Sequence, residues 1–380
     1  MAKIRTAMIG TGFMGKVHTE QVRRLGNVEV VAAASSTQEV AQSFADSVGI
    51  AHATGDWTTL VNDPGIDAVH ILTPNALHAP MSIAFAQAGK AVLCEKPLAM
   101  SSAEAQQMLD AAEAAGVVHA TNHNLRFYPV VQYVRQMVAS GELGEVLAVQ
   151  GTYSQDWLLY DTDYNWRIEA AANGKLRAMG DIGSHWMDQI QHVTGLKITS
   201  VCGELTTFHK TRKKPKGSVE TFTGKTLQPS DYTEIPITTD DFGTVMLHLG
   251  DRARGAFTVS QISAGNKNSF RFEVYGTKSG VSWNQERPDE LWIGHRNSPN
   301  QILLKDASLM GASGQYADLP GGHSEGYDDS HKQLFKRFYA RVANKSLPVE
   351  HPTFADGLHG MKCLEAVLAS HEARAWVDVA

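Results

Sequence analysis

Three side chains in this sequence are of the types that move a proton to or from an alcohol. Asp181 and His185 lie four residues apart in Gly180-Asp181-Ile182-Gly183-Ser184-His185-Trp186, a spacing that puts both on one face of a helix. A carboxylate and an imidazole placed so can hold two neighbouring hydroxyls, and imidazole has the unperturbed pKa suited to proton removal near neutrality. The same two residues also read as an N-capping aspartate and a satisfied core histidine. Lys96, in Glu95-Lys96-Pro97, follows a short apolar run. It would stand at the C-terminal end of a parallel strand, where open α/β sheets hold their ligands. Its ammonium could donate to a substrate hydroxyl there, although an exposed lysine at a strand end is the plainer reading.

A second pattern concerns a cofactor. Gly10-Thr11-Gly12-Phe13-Met14-Gly15 has the spacing G-x-G-x-x-G directly after a predicted strand and before a predicted helix. Gly10 would allow the tight turn, Gly12 would let the backbone approach a pyrophosphate, and Gly15 would bring helix and strand together. The helix start then offers N–H groups and positive potential to the phosphates. About 20 residues on, where a carboxylate would bind the ribose 2′-hydroxyl and select NAD, the chain reads Ala34-Ser35-Ser36-Thr37. Ser35 and Ser36 can donate to a 2′-phosphate and do not repel one, yet no Arg or Lys is adjacent. The expected cofactor is NAD or NADP, with a slight lean to NADP.

Other polar patterns are less specific. Trp157, Tyr160, Tyr164 and Trp166, interspersed with Asp156, Asp161 and Asp163, could supply aromatic platforms and hydroxyl acceptors, or could be an aromatic-rich loop packing on the core. The 16 histidines include no HxH or HExxH pattern and the three cysteines are isolated, so no metal site is expected. The basic run His209 to Lys216 has no interleaved aromatics and reads as a solvated loop, not a nucleic-acid patch.

The elements that must position these groups follow from the hydrophobic pattern. Up to about residue 122 short apolar runs alternate with helical segments: strands at Ile4–Ile9, Val28–Ala34, Ala68–Leu72, Ala91–Cys94 and Val117–Ala120, and helices at Lys16–Arg24, Thr37–Val48, Met81–Ala88 and Ala103–Ala115. Strands separated by single helices imply right-handed crossovers and a parallel sheet covered on both faces. Beyond Arg126 come a helix over 130–139, a strand over 146–151 and a helix around His185. From about Thr199 to Trp292 the sequence is rich in Thr, Val and Phe with near-alternation, as antiparallel strands are. Helices are expected within 322–343 and over 354–375. Two domains follow, 1–123 and 124–380, and the last helix could pack back on the first domain.

Composition narrows the classes. The 380 residues carry 34 Lys and Arg against 40 Asp and Glu, a net charge of −6, which does not suit a grip on nucleic acid or an anionic membrane. A hydrophobic fraction of 43% supports a large core. No apolar run reaches the ~18 residues of a membrane span, and the first twenty residues lack signal-peptide features. Three dispersed cysteines exclude a disulfide framework and suit a reducing, cytoplasmic setting.

Taken together, the glycine loop, Thr73-Pro74-Asn75 with His78, Glu95-Lys96-Pro97 and Asp181-Ile182-Gly183-Ser184-His185 resemble the Gfo/Idh/MocA oxidoreductases, over nearly the whole chain. The resemblance implies an α/β protein: an N-terminal Rossmann dinucleotide-binding domain and a C-terminal α+β domain with a large, mostly antiparallel open sheet, assembled as a homodimer or homotetramer. It implies hydride transfer between nicotinamide and a hydroxyl-bearing carbon of a sugar or cyclitol, without metal. Lys96, Asp181 and His185 would be the catalytic trio, with Lys96 orienting substrate and cofactor, Asp181 holding substrate and His185 taking the hydroxyl proton. Glu95, Thr73, Pro74 and Asn75 would flank the cofactor with His78 nearby. Asn122, Arg126, Trp157, Trp166, Arg167 and His323 are further candidates on the substrate or nicotinamide side. The segments 153–157 and 165–167 are similar to levoglucosan-dehydrogenase-type members, which bind pyranose rings. Family relatives also include NAD-dependent glycoside hydrolases and non-catalytic, nucleotide-sensing regulators, and these are the alternative readings. Retention of all three polar residues argues against a pure sensor.

Overall fold

In the computed structural model, which describes residues 3–217 and 231–380, the chain divides into two units. One comprises Met1–Phe127 with Tyr327–Met361, the other Tyr128–Gly326 with Lys362–Ala380. The first therefore includes 327–361, well beyond a cut after residue 123.

The N-terminal alternation becomes β1 (Ile4–Ile9), α1 (Phe13–Arg23), β2 (Val28–Ala34), α2 (Gln38–Val48), β3 (His52–Thr54), β4 (Ala68–Ile71), α3 (His78–Gln87), β5 (Ala91–Cys94), α4 (Ser102–Ala114) and β6 (His119–Thr121). Only β3 has no counterpart in the sequence reading; three residues are too few to show a period. All pairings are parallel, in the order β3-β2-β1-β4-β5-β6. Every residue of β4 and β5 is buried, as strands covered on both faces must be. Local chemistry sets the helix starts. Thr37 caps α2 by accepting from the Val40 N–H, and Ser101 caps α4 by accepting from the Glu104 N–H. The order reverses between β1 and β4, so the loops after these strands form the switch point where such sheets bind ligands.

The second unit contains α5 (Pro129–Ala139), β7 (Val146–Ser154), the short α6 (Ala170–Asn173), a π-helical turn over Met179–Gly183, and α7 (Ser184–Thr194). Then come β8 (Ile198–Thr206), β9 (Thr211–Pro215), β10 (Tyr232–Pro236), β11 (Phe242–Leu249), β12 (Ala253–Ser260), β13 (Ser269–Gly276), β14 (Gly280–Asn284), β15 (Glu290–Gly294) and β16 (Gln301–Leu304). The helix α8 (Tyr327–Ala343) belongs to the first unit. The helix α9 (Phe354–Ala373) begins in the first and ends in the second, and β17 (Val377–Asp378) closes the chain. Nine strands form one sheet in the order β16-β15-β14-β13-β7-β12-β11-β8-β17. Its pairings are antiparallel except β7 with β12, which is parallel. In β11 Val245, Leu247 and Leu249 are buried while Met246 between them is exposed, the alternation of a strand with one covered face.

The basic run at 209–216 is a correction. It is not a solvated loop: Thr211–Pro215 is a strand paired with β10, and Arg212 is buried. Its guanidinium donates to the carbonyls of Leu158, Tyr160 and Asp163 and to Asp241. A charge run reads as surface because most such charges are solvated, and the one arginine that turns inward has no signature of its own.

Candidate active site

The glycine loop is built around two steric requirements. Gly10 has φ +113°, and a Cβ there would lie 2.6 Å from the Leu72 carbonyl oxygen. A Cβ on Gly15 would lie 2.7 Å from the Gly10 oxygen. Gly12 differs: a Cβ there would meet nothing within 4 Å, so the loop presents bare backbone to open space. No side chain caps α1 at Gly12. An open backbone cradle at an uncapped helix start fits the pyrophosphate of a dinucleotide. The Gly10 N–H donates to the Ala34 oxygen, and the Thr11 and Ser35 hydroxyls are 2.7 Å apart, so the loop is tied to the end of β2. Ser36 and Phe13 are exposed, and the Met14 sulfur lies 3.5 Å from the Tyr327 hydroxyl at the head of α8.

On the other side of the switch point, Thr73-Pro74-Asn75 and Glu95-Lys96-Pro97 are joined by His78. This histidine is fully buried, with one ring nitrogen 2.9 Å from the Thr73 oxygen and the other 3.0 Å from the Pro97 oxygen. It fastens the two loops together. Glu95 is also buried. Its Oε1 is 3.1 Å from His18 Nε2 and accepts from Asn122 Nδ2 at 2.6 Å, while Oε2 accepts from the Lys96 N–H. Burial alone would raise this carboxyl, but the His18 hydrogen bond and the Lys96 ammonium hold it well below the ordinary value. A hydrogen-bonded chain continues inward: His18 Nδ1 to His70 Nδ1 at 2.7 Å, then His70 Nε2 to the Tyr339 hydroxyl at 2.7 Å. Asn122 Nδ2 also lies 3.2 Å from His331 Nε2. Burial pushes His70 well below its ordinary value and His331 down to about 3. One set of donor directions satisfies the chain with neutral rings: Tyr339 O–H to His70, His70 N–H to His18, His18 N–H to the Glu95 carboxylate. Lys96 thus stands on a carboxylate anchored from α1, β4 and α8. Arg126 lies in the same unit and pairs with Asp356 at 3.1 Å.

In the second unit the expected helix face around Asp181 is a π turn that runs into α7 at Ser184. Asp181 and His185 are therefore not on one regular α-helix, although both lie at its head and each is less than a tenth exposed. π turns inside helices gather at functional sites. The turn is held by Asp240, which accepts from the N–H groups of Arg177 and Met179 at 2.6 and 2.7 Å. Asp181 Oδ2 accepts from Gln261 Nε2 at 2.9 Å, and Oδ1 is 3.4 Å from Arg167 Nε. Arg167 also lies over the Trp166 ring, 4.5 Å from its centroid. The register of α7 is fixed by Trp186, fully buried and stacked on Phe257 at 4.3 Å, with its N–H donating to the Arg271 oxygen. Gly151 makes room for this: a Cβ there would lie 2.1 Å from that same oxygen and 2.7 Å from Trp186 Nε1.

The aromatic segment before it divides. Trp157 and Tyr164 pack against the buried Leu158, Ile168 and Ile237, and Asp156 and Asp161 pair with Lys267 and Lys213. Tyr160 is exposed. His323 is exposed on a turn whose His323 carbonyl accepts from Lys305, a buried ammonium paired with Glu325 at 2.5 Å. Sequence reasoning missed His18, His70, His331, Tyr339, Gln261 and Arg177. None belongs to a spaced pattern, and only the folded chain brings them beside Glu95 or Asp181.

A parallel sheet with an open glycine cradle at its switch point, and a separate α+β unit bearing a buried carboxylate and imidazole at a helix head, define a two-domain nicotinamide-dependent oxidoreductase. A family model described as "Oxidoreductase family, NAD-binding Rossmann fold" matches residues 4–123, and one described as "GFO/IDH/MocA C-terminal domain" matches 131–282. The chain belongs to the Gfo/Idh/MocA family. It is similar to levoglucosan dehydrogenase of Pseudarthrobacter phenanthrenivorans, 29% identical over 394 residues that span 100% of this chain and 99% of that protein. It is 37% identical over 146 residues to 1,5-anhydro-D-fructose reductase of Ensifer adhaerens, 38% of this chain and 44% of that one. The solved structure of levoglucosan dehydrogenase in complex with NADH and L-sorbose matches with TM-score 0.91 at 28% identity, covering 100% of both chains. Among the described residues no helix is long and apolar enough to cross a membrane.

Proposed function

We propose that this protein is a dehydrogenase or reductase that transfers hydride between nicotinamide and a hydroxyl-bearing carbon of a sugar or cyclitol. The observation that carries this reading is the Asp181–His185 pair: a carboxylate held by Gln261 and Arg167, with an imidazole one turn further along. In this reading Asp181 accepts a hydrogen bond from a substrate hydroxyl, His185 takes the proton of the reacting hydroxyl, and the Lys96 ammonium donates to a substrate oxygen. Gly10, Gly12 and Gly15 would hold the dinucleotide pyrophosphate, with Thr73, Pro74, Asn75 and Glu95 flanking the cofactor. When bound, the cofactor supplies the hydride acceptor or donor. The buried His78 and Asn122 act by holding the loops that carry these groups. Trp166, Arg167, Arg126, Trp157 and His323 remain candidates for the substrate or nicotinamide side, and the engagement of Arg167 with Asp181 makes it the strongest of them. Levoglucosan dehydrogenase as a relative along the whole chain supports a pyranose-sized substrate.

The cofactor pocket lacks a carboxylate at 34–37 and has hydroxyls there instead, which supports use of NADP alongside NAD with a lean toward NADP. Three isolated thiols support a reducing, cytoplasmic setting. Exposed Met246, Ile302 and Leu304 on strands of the large sheet support a homodimer or homotetramer, which light scattering would measure. The decisive experiment is a panel of sugars and cyclitols with each oxidised cofactor, following absorbance of the reduced nicotinamide. Turnover of at least one pyranose or cyclitol is expected. No turnover across the panel, or aglycone release without net cofactor reduction, overturns the proposal; a clear kcat/KM preference for NAD overturns the lean.

A further inference from the structure

Asp181 is the outer end of a buried polar network. Gln261, the residue after β12, is fully buried and donates from Nε2 to Asp181 Oδ2 at 2.9 Å. The two ends of an amide differ, and its neighbours decide which faces where. Here Arg177 Nη1 donates to Gln261 Oε1 at 3.1 Å. A guanidinium cannot accept a hydrogen bond, so the carbonyl end must face Arg177 and the NH2 end must face Asp181. Arg177 is itself fully buried and paired with Asp241, which also accepts from Arg212 at 3.0 Å. Buried pairs of this kind add little net stability, because desolvation offsets the attraction, but they fix geometry. A carboxylate in a π turn lacks the regular packing of an α-helix and depends on such neighbours for its orientation.

We infer that Gln261 is a positioning residue for Asp181, holding the carboxylate in the orientation that meets the substrate hydroxyl, with Arg177 fixing which end of the amide does so. The inference rests on the reading of Asp181 as a substrate ligand, and the experiment separates the two. Asp181→Ala is expected to lower kcat/KM for the best sugar at least about tenfold; an unaffected variant overturns both. In Gln261→Glu two carboxyls face each other, beside Arg167 and Arg177, with Asp240, Asp241 and His185 as the other ionisable neighbours. Near pH 8 that variant should lose about 10- to 100-fold in kcat/KM relative to the unmodified protein. Near pH 5 one proton shared between the carboxyls restores the hydrogen bond, so the deficit should shrink. The melting temperature of the cofactor-free variant, relative to the unmodified protein, should recover over the same range. A merely structural role would move the melting temperature with pH but leave kcat/KM, assayed well below that temperature, equal to that of the unmodified protein. Gln261→Leu keeps the volume and removes the donor, and should raise KM for the sugar with the NAD dissociation constant unchanged. If Asp181→Ala is impaired, an absent or pH-independent Gln261→Glu deficit in kcat/KM, or an unchanged KM in Gln261→Leu, overturns the inference and leaves Asp181 in its role.

Discussion

Lys96 and His185 reach their positions by different means. The lysine follows a carboxylate that is buried and fully engaged; the histidine precedes a tryptophan locked onto the sheet. Each therefore adjoins in sequence a residue that is itself buried and held in place, Glu95 by hydrogen bonds and Trp186 by stacking. His185→Ala is expected to lower kcat by about 10²–10⁴-fold while leaving the NAD dissociation constant within about threefold, and Lys96→Ala to come close to abolishing turnover. Steady-state kinetics paired with calorimetry would check both, and normal turnover in either variant removes that residue from the reaction. The candidate side chains could be picked out of the sequence because Glu95-Lys96-Pro97 and Asp181 to His185 are each short local motifs. Their supports could not: Gln261 is 80 residues from Asp181 and His18 is 77 from Glu95. Nothing in a lone buried glutamine or histidine announces such a partner.

At the scale of elements, two glycines in one loop should respond in opposite ways. A side chain at Gly12 has open space, so Gly12→Val should fold with a nearly unchanged melting temperature yet bind no dinucleotide by calorimetry. Gly10→Ala meets the Leu72 oxygen at 2.6 Å in a left-handed backbone region, and should lose stability before binding can be asked about. In the other unit Gly151→Ala pushes against the Arg271 carbonyl and the Trp186 indole. It is expected to cost about 1–3 kcal/mol in denaturant melts and to lower kcat by shifting α7. A variant with native stability and turnover would show that the indole has room to move. The βα rhythm was legible because period and punctuation agree, as Thr37 at the start of α2 illustrates. The π turn at Asp181 was hidden, since its residues differ from an ordinary helix only in a hydrogen-bonding pattern that the distant Asp240 helps impose.

The molecule as a whole should be sensitive to acid through its first unit. Burial, first of all, holds His119 and His351 at about 4 and His331 at about 3, against an ordinary value of 6.5. Between those limits the unfolded chain binds protons that the folded chain refuses. Their contribution to stability is therefore complete above about 6.5 and is lost progressively as pH falls toward 3–4. Scanning calorimetry should find the melting temperature falling by roughly 5 °C or more between pH 7 and pH 5; a flat profile would contradict these environments. The sequence reading allowed the last helix to pack back on the first domain, but it did not group Tyr327–Ala343 with the N-terminal residues, because a hydrophobic pattern marks helices and not the sheet they join.

That grouping bears on how the protein is made. His70 finds its Tyr339 partner 269 residues downstream, and Asn122 meets His331 at a separation of 209. A nascent chain emerging from the ribosome must release most of its α+β portion, through Gly326, before it can complete the nucleotide-binding portion it began with, contrary to the usual N-terminal-first order. A fragment ending at residue 123 should accordingly be expressed without cooperative melting, whereas adding residues 327–361 through a linker should restore it.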